Sequence, residues 1–176
     1  MIFTALPLQG AFTVELDKCE DERGFFARSW CEEEFRAQGL DPVIAQCNVA
    51  FNRRRGTLRG MHYSAAPFEE AKLVRCTAGA LYDVIIDLRP GSPTYKQHVG
   101  ELLTAENHRA LYVPKGFAHG FQTLHDNTEV FYQMSRSYSP DHARGVRFDD
   151  PAFGIEWKTV VTVILDRDRN YPDFVD

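Results

Sequence analysis

The feature that most constrains the fold is a long succession of short segments rich in β-branched and aromatic residues. Clear examples are 72–76, 80–88 and 110–113, and turns that contain glycine or proline interrupt the series. Strands that recur about every 8 to 12 residues, with little helix between them, are typical of a β-sandwich or barrel. The sequence therefore predicts an all-β fold.

One segment has the features of a helix. Residues 32–38 carry Glu, Phe, Arg and Ala, and Gly39 follows as a stop signal. No internal repeat or linker divides the 176 residues, which predicts a single domain over 1–176. We interpret 17–24 as a charged turn and expect the other strands at 11–16, 25–30, 42–51, 99–103, 121–124, 129–135 and 160–165.

Charge and hydropathy exclude several classes of protein. A net charge of -5 argues against nucleic-acid or membrane-surface binding, and no apolar run is long enough to span a bilayer. The first residues have no basic region or apolar core typical of a signal peptide. The four cysteines lack CxxC or zinc-finger spacing, so we expect free thiols and a cytoplasmic location.

The stretch Gly-Thr-Leu-Arg-Gly-Met-His-Tyr at 56–63 is the first candidate for chemistry. Its glycines permit a close approach of backbone or ligand to a short strand. A histidine among cations favours an anion site beside a proton-transfer group, although a plain strand with a surface histidine remains open. The cations near His62 in the sequence are Arg53, Arg54, Arg55, Arg59, Lys72 and Arg75.

A second stretch, 112–121, contains one proline and two glycines, which predict a tight turn that presents His119. The two stretches together resemble the motifs of the cupin superfamily, which implies a jelly-roll barrel with a ligand at its mouth. Metal-binding cupins use an H-x-H pair, but Tyr63 and Ser64 follow His62 here. A metal site made of His62, His119 and one carboxylate stays open as an alternative.

More closely, the chain resembles the dTDP-4-dehydrorhamnose 3,5-epimerase family. The resemblance implies a homodimeric cupin-type jelly roll with few short helices that needs no metal or other cofactor. It also implies an epimerase acting on a nucleotide-linked, most simply dTDP-linked, 4-keto-6-deoxyhexose. The segments that carry it, in the family's order, are DERGFF at 21–26, QCN at 46–48, GTLRGMHY at 56–63, AKLVR at 71–75, YDVIIDLR at 82–89, PKGFAHGF at 114–121 and DDPAFGIEW at 149–157.

The resemblance implies four catalytic residues. His62 would be the base that removes a proton beside the ketone, and Asp168 would hold its imidazole. Lys72 would stabilise the enolate, and Tyr132 would return a proton to the opposite face of the ring. Three of them also have a plainer interpretation. Lys72 reads as a solvated strand lysine, Tyr132 as a half-buried strand tyrosine and Asp168 as an aspartate in a charged tail.

The resemblance also implies residues that bind the substrate, partly across the dimer. Arg59 has the planar fork that suits a phosphate, and Tyr138 is expected to stack on the nucleobase. Phe26 has core packing as its alternative, and Asp83 has a buried ion pair with Lys72 or Arg59. The complete set is Arg23, Phe26, Gln46, Asn48, Arg59, Asp83, His119 and Tyr138.

Several positions depart from the family's usual pattern, notably Ala50, Ser64, Lys158 and the loop 65–70. They leave every catalytic candidate in place, but leave open the nucleotide, the product sugar, and whether C3 alone or both centres are inverted. Two other functions stay open from sequence. One is a metal-dependent cupin oxygenase or isomerase, and the other is a non-catalytic module that binds sugar nucleotides.

Overall fold

A computed structural model describes residues 1–175. Within them the chain forms two short α-helices, one 3₁₀ turn at Pro140–His142 and thirteen strands. The helices are α1 (Glu32–Ala37) and α2 (Asp166–Arg169). The strands are β1 (Ile2–Ala5), β2 (Phe12–Glu15), β3 (Cys19–Asp21), β4 (Gly24–Phe26), β5 (Gln46–Asn52), β6 (Leu58–Ser64), β7 (Lys72–Ala78), β8 (Ala80–Asp87), β9 (His98–Thr104), β10 (Ala110–Val113), β11 (Phe117–Thr123), β12 (Thr128–Met134) and β13 (Ala143–Gly145).

Two antiparallel sheets form the body of the molecule. The larger has the order β1-β2-β10-β7-β12-β5, and the smaller has the order β13-β6-β11-β8-β9. Neighbours in each sheet are often distant in sequence, as expected when strands alternate between the two sheets of a jelly roll. The prediction of an all-β, cupin-type jelly roll is confirmed.

The space between the sheets is apolar at one end and polar at the other. Side chains alternate along a strand, so in β7 Val74 and Cys76 share one face with Lys72. Val74 and Cys76 lie in a buried cluster with Ile85 and Phe121 of the smaller sheet. Lys72 is therefore held at the polar end by the same register that buries its apolar neighbours.

Two glycines bring β6 and β11 unusually close together. Gly60 has φ +130°, and a Cβ atom there would lie 2.5 Å from the Cα atom of Gly120. A Cβ atom on Gly120 would lie 2.8 Å from the carbonyl oxygen of Arg59. This close approach, which the sequence predicted for the first stretch, sets His62 directly opposite His119 in the paired strands.

The helix and most strands agree with the sequence analysis. α1 ends at Ala37, and Gly39 takes the predicted left-handed conformation with φ +71°. The four cysteines are free, as predicted. Within residues 1–175, no helix has the length and hydropathy needed to cross a membrane.

Three local predictions were wrong. Residues 17–24 are not a turn alone but most of the β3–β4 hairpin, which Asp21 stabilises by accepting the backbone N–H of Arg23. The predicted strand at 25–30 ends at Phe26. Residues 160–165 have strand propensity but form only one bridge, between Thr57 and Val163. Two backbone hydrogen bonds, from Leu58 to Val163 and from Thr162 to Gly56, accompany it, and the pairing extends no further.

His119 lies within β11 and not in a turn. The turn predicted from the proline and glycines comes earlier, where Gly116 has φ +78° immediately before the strand. Helix α2 was not predicted, since its four residues are too few to show a helical period.

Candidate active site

Two adjoining cavities open at the polar end of the space between the sheets. The first has a volume of about 350 Å³ and the second about 220 Å³. Together they fall in the size range of small-molecule sites. The side chains that line both are His62, Lys72, Tyr132 and Arg167.

His62 is paired with Asp168, as the sequence predicted. The Nε2 atom of His62 lies 2.8 Å from Oδ1 of Asp168, whose carboxylate is almost fully buried. The backbone N–H of Gly60 donates to the other carboxylate oxygen at 3.2 Å. Because the carboxylate accepts the hydrogen on Nε2, the neutral ring keeps Nδ1 as a free acceptor, which is the form that a base needs.

Two opposing effects act on the pKa of Asp168. Burial alone would raise it, but the hydrogen bonds from His62, Gly60 and Arg167 outweigh burial and lower the pKa below its usual value. The carboxylate is therefore charged at neutral pH and stabilises a positive imidazolium beside it.

Arg167 touches this pair and was missed by the sequence analysis. Its Nε donates to Oδ1 of Asp168 at 3.3 Å, and its Nη2 lies 3.3 Å from Nε2 of His62. A guanidinium has no acceptor, so the contact with the protonated Nε2 is a close approach and not a hydrogen bond. In the sequence, Arg167 is one charge among several in the tail and carries no separate signal.

Lys72 and Tyr132 lie on neighbouring strands of the larger sheet. Lys72 is buried, and its Nζ atom lies 3.1 Å from Oε1 of Glu70. Tyr132 is partly buried, and that burial raises the pKa of its phenol despite the opposing charge of Arg59. The phenol therefore carries its proton at neutral pH, as a general acid must.

A second histidine–carboxylate pair lies next to the first. Nε2 of His119 is 2.7 Å from Oδ1 of Asp83, and both side chains are buried. His119 lines the second cavity, whereas Asp83 lies behind it. Asp83 is thus the partner of His119 and not of Lys72 or Arg59, and its Oδ2 is buried without a hydrogen-bond partner among residues 1–175.

Five of the predicted substrate-binding residues line the cavities. Gln46, Asn48 and Tyr138 line the first cavity, and Arg59 and His119 line the second. Gln46 accepts the backbone N–H of Tyr138 at 2.6 Å, which fixes the loop that carries this tyrosine. Arg59 donates through Nε to Oδ1 of Asn52 at 2.8 Å and through Nη2 to the carbonyl oxygen of Phe51 at 3.4 Å, so its guanidinium is tied to β5.

Arg23 and Phe26 line neither cavity of this chain. Both lie on the exposed β3–β4 hairpin, where Arg23 forms an ion pair with Asp21. Phe26 is 81% exposed, so core packing was the wrong alternative for it.

Seven further residues line the first cavity without having been assigned to it from sequence. They come from segments that are distant in the chain and meet only in the fold. They are Tyr63, Ser64, Glu70, Met134, Ala143, Arg144 and Tyr171.

The donors for the metal alternative do not converge. In the part of the chain that the structure describes, no three His, Cys, Asp or Glu side chains form a group able to hold a metal ion. His62 and His119 each face a carboxylate of their own instead.

Comparison with known proteins gives this geometry its context. A family profile described as dTDP-4-dehydrorhamnose 3,5-epimerase matches residues 5–176. The enzyme of that name from Sinorhizobium fredii is 41% identical over 177 residues, which cover 100% of this chain and 91% of the relative.

Solved structures agree over nearly the whole chain. The dTDP-4-dehydrorhamnose 3,5-epimerase of Elizabethkingia anophelis matches with a TM-score of 0.96 at 34% identity, over 99% of this chain and 96% of that one. The Bacillus anthracis enzyme, solved with TDP and PPi bound, matches with a TM-score of 0.94 at 39% identity, over 98% and 99% of the two chains. On this evidence the chain belongs to the dTDP-4-dehydrorhamnose 3,5-epimerase family.

Proposed function

We propose that this chain inverts C3, C5 or both centres of a dTDP-linked 4-keto-6-deoxyhexose with its own side chains as acid and base. Membership of the family makes it an epimerase of such sugars. The observation that carries the residue assignment is the His62–Asp168 pair, which faces the same cavities as Lys72 and Tyr132.

The first step is removal of a proton from the carbon beside the ketone. Nδ1 of His62 takes the proton while the C–H electrons move into the carbonyl group to form an enolate. Asp168 keeps the ring in the required tautomer through Nε2 and stabilises the imidazolium that forms.

The enolate requires a fixed positive charge at its oxygen. Lys72 supplies it from a buried position that both cavities share. A cation held in place before the reaction stabilises the developing charge without the cost of reorganisation.

Inversion requires that the proton return from the other face of the ring. Tyr132 is the donor in this proposal, because its raised pKa keeps the phenol protonated and it lines both cavities. The ketone is restored as the proton arrives, and both Tyr132 and His62 then re-equilibrate with water, so solvent hydrogen enters the product.

The nucleotide half of the substrate is assigned to the first cavity. Gln46, Asn48 and Tyr138 offer amide groups and an aromatic ring there, and Arg59 extends a guanidinium from the adjoining cavity. The relative with TDP bound supports a nucleotide diphosphate as the ligand class.

A homodimer is part of the proposal. β5 is an edge strand whose outer face exposes Val49 and Phe51, and such an edge invites pairing with another chain. In this proposal, Arg23 and Phe26, which are exposed on the β3–β4 hairpin, contact a neighbouring chain and complete its nucleotide site. The free cysteines support a cytoplasmic location, and the proposal includes no nucleic acid or membrane partner.

The decisive experiment is NMR of dTDP-4-keto-6-deoxyglucose with the protein in deuterated water. We expect deuterium to enter at the inverted centre or centres, which also identifies the regiochemistry. Tight dTDP binding without exchange would favour the binding module instead. Activity that a chelator abolishes and a transition metal restores would favour the metal-dependent cupin.

A further inference from the structure

Glu70 is a buried carboxylate in the candidate site, and the proposed reaction assigns no role to it. It is 8% exposed and lines the first cavity at the end of the loop between β6 and β7. Glu70 and Lys72 are two residues apart in extended chain, so their side chains point to the same face. Ala71, between them, points away and packs in the cluster around Phe35.

Two hydrogen bonds with Ser135 fix the backbone between the two side chains. The N–H of Ala71 donates to the Ser135 hydroxyl at 2.8 Å, and its carbonyl oxygen accepts the N–H of Ser135 at 2.9 Å. These bonds extend the β7–β12 pairing by one residue beyond Lys72. Glu70 is thus held by the sheet and not by a mobile loop.

The two charges also depend on each other. Nζ of Lys72 lies 3.1 Å from Oε1 of Glu70, and their side chains are 9% and 6% exposed. A buried charge without a partner is strongly unfavourable, so the pair keeps both groups in place. A lysine ammonium has three N–H donors, and one used for Glu70 leaves two for an oxygen of the substrate.

Lysine is a flexible side chain, whereas enolate stabilisation requires a cation at a defined point. We propose that Glu70 is a positioning residue that holds the Lys72 ammonium at the enolate oxygen. This inference rests on the proposed epimerase function. It assigns a role to a loop that departs from the family's usual sequence.

The test compares Glu70→Ala and Glu70→Gln with Glu69→Gln, a matched control that removes the same charge one residue away. Net inversion and deuterium exchange are measured per folded site, counted by titration with dTDP. We expect Glu70→Ala to lower kcat about 10- to 100-fold with KM changed less than about threefold. Glu70→Gln retains an oxygen acceptor and should lose about tenfold less, and the control should stay within about twofold.

A double-mutant cycle separates positioning from other roles. In a Lys72→Ala background, adding Glu70→Ala should change kcat by less than about twofold, because its effect acts through the missing ammonium. The same loss in both backgrounds would overturn the inference, as would an unchanged kcat per folded site in Glu70→Ala. Wild-type protein that neither inverts nor exchanges would reject the function itself, and the inference with it.

Discussion

The two histidine–carboxylate pairs differ although their contacts are nearly identical. Nε2 lies 2.8 Å from the carboxylate in His62–Asp168 and 2.7 Å in His119–Asp83, and the two histidines are directly paired residues of β6 and β11. The side chain of His62 is 35% exposed, whereas that of His119 is 10% exposed. The greater exposure of its side chain, and not the hydrogen bond to its carboxylate, distinguishes His62 as the proposed base.

The origin of the carboxylates differs as well. Asp83 lies on β8, directly beside β11, so the sheet builds its pair. Asp168 comes from α2, 106 residues after His62, and is tied to β6 by the N–H of Gly60. One pair is therefore part of the framework, and the other forms only when the tail docks.

The largest expected effect comes from replacing each of the two histidines in turn. His62→Asn should reduce inversion and deuterium exchange about 10³-fold, as loss of a general base typically does. His119→Asn should act chiefly on KM, with a loss of kcat below about tenfold, because it lines the cavity without reaching the base position. Exchange at the wild-type rate in His62→Asn, measured by NMR, would remove His62 from the proposal.

The carboxylates provide the next contrast. Asp168→Asn should lower kcat about 10²-fold. The amide can stabilise the wrong tautomer of His62, and it has no negative charge with which to stabilise the imidazolium. Asp83→Asn should lower the Tm more, and kcat less, than Asp168→Asn does, since Asp83 belongs to the sheet whereas Asp168 lies on the docked helix α2. Steady-state kinetics and thermal unfolding of both variants measure this, and the reverse ranking would contradict the assignment.

Tyr132→Phe tests whether Tyr132 is the acid that returns the proton. If Tyr132 returns the proton, its loss should reduce net inversion about 10-fold or more while exchange at the reacting centre falls less. The two rates come from one NMR time course in deuterated water. Equal loss of exchange and inversion, or neither, would argue against the tyrosine.

The smallest effect concerns acid stability. The pKa of Asp168 is lower in the folded chain than in the unfolded chain. Its interactions therefore stabilise the fold at any pH above the unfolded-state pKa, and this stabilisation is lost as the pH falls through the folded-state pKa. The difference in unfolding free energy between wild type and Asp168→Asn should therefore shrink between pH 6 and about pH 3. Urea unfolding at several pH values measures it, and a constant difference would contradict this origin.

Much of the site could be predicted because its residues lie on strands that local pattern identifies. Lys72 and Tyr132 sit in β-branched and aromatic segments whose alternation settles which way they point. His62 follows Gly56 and Gly60, two glycines for which the sequence predicted a close approach of the backbone.

What could not be predicted depends on contacts between distant segments. The family's motifs named Asp168, but no local signal gave α2 or the neighbouring Arg167. The stretch 160–165 reads as a strand because the strand propensity of its residues does not depend on whether a partner strand is available along it. Glu70 received no role in epimerisation, since a carboxylate two residues before a lysine is common on solvated surfaces.

The docking of α2 has a consequence for when this molecule becomes competent. Every strand in residues 1–175 ends by Gly145, so the pairing within both sheets does not include the segment that carries Asp168. Local undocking of that segment would leave His62 without its carboxylate while the strands keep their hydrogen bonds. The molecule can therefore lose competence through a local event in the exposed run near Val160, without unfolding of either sheet.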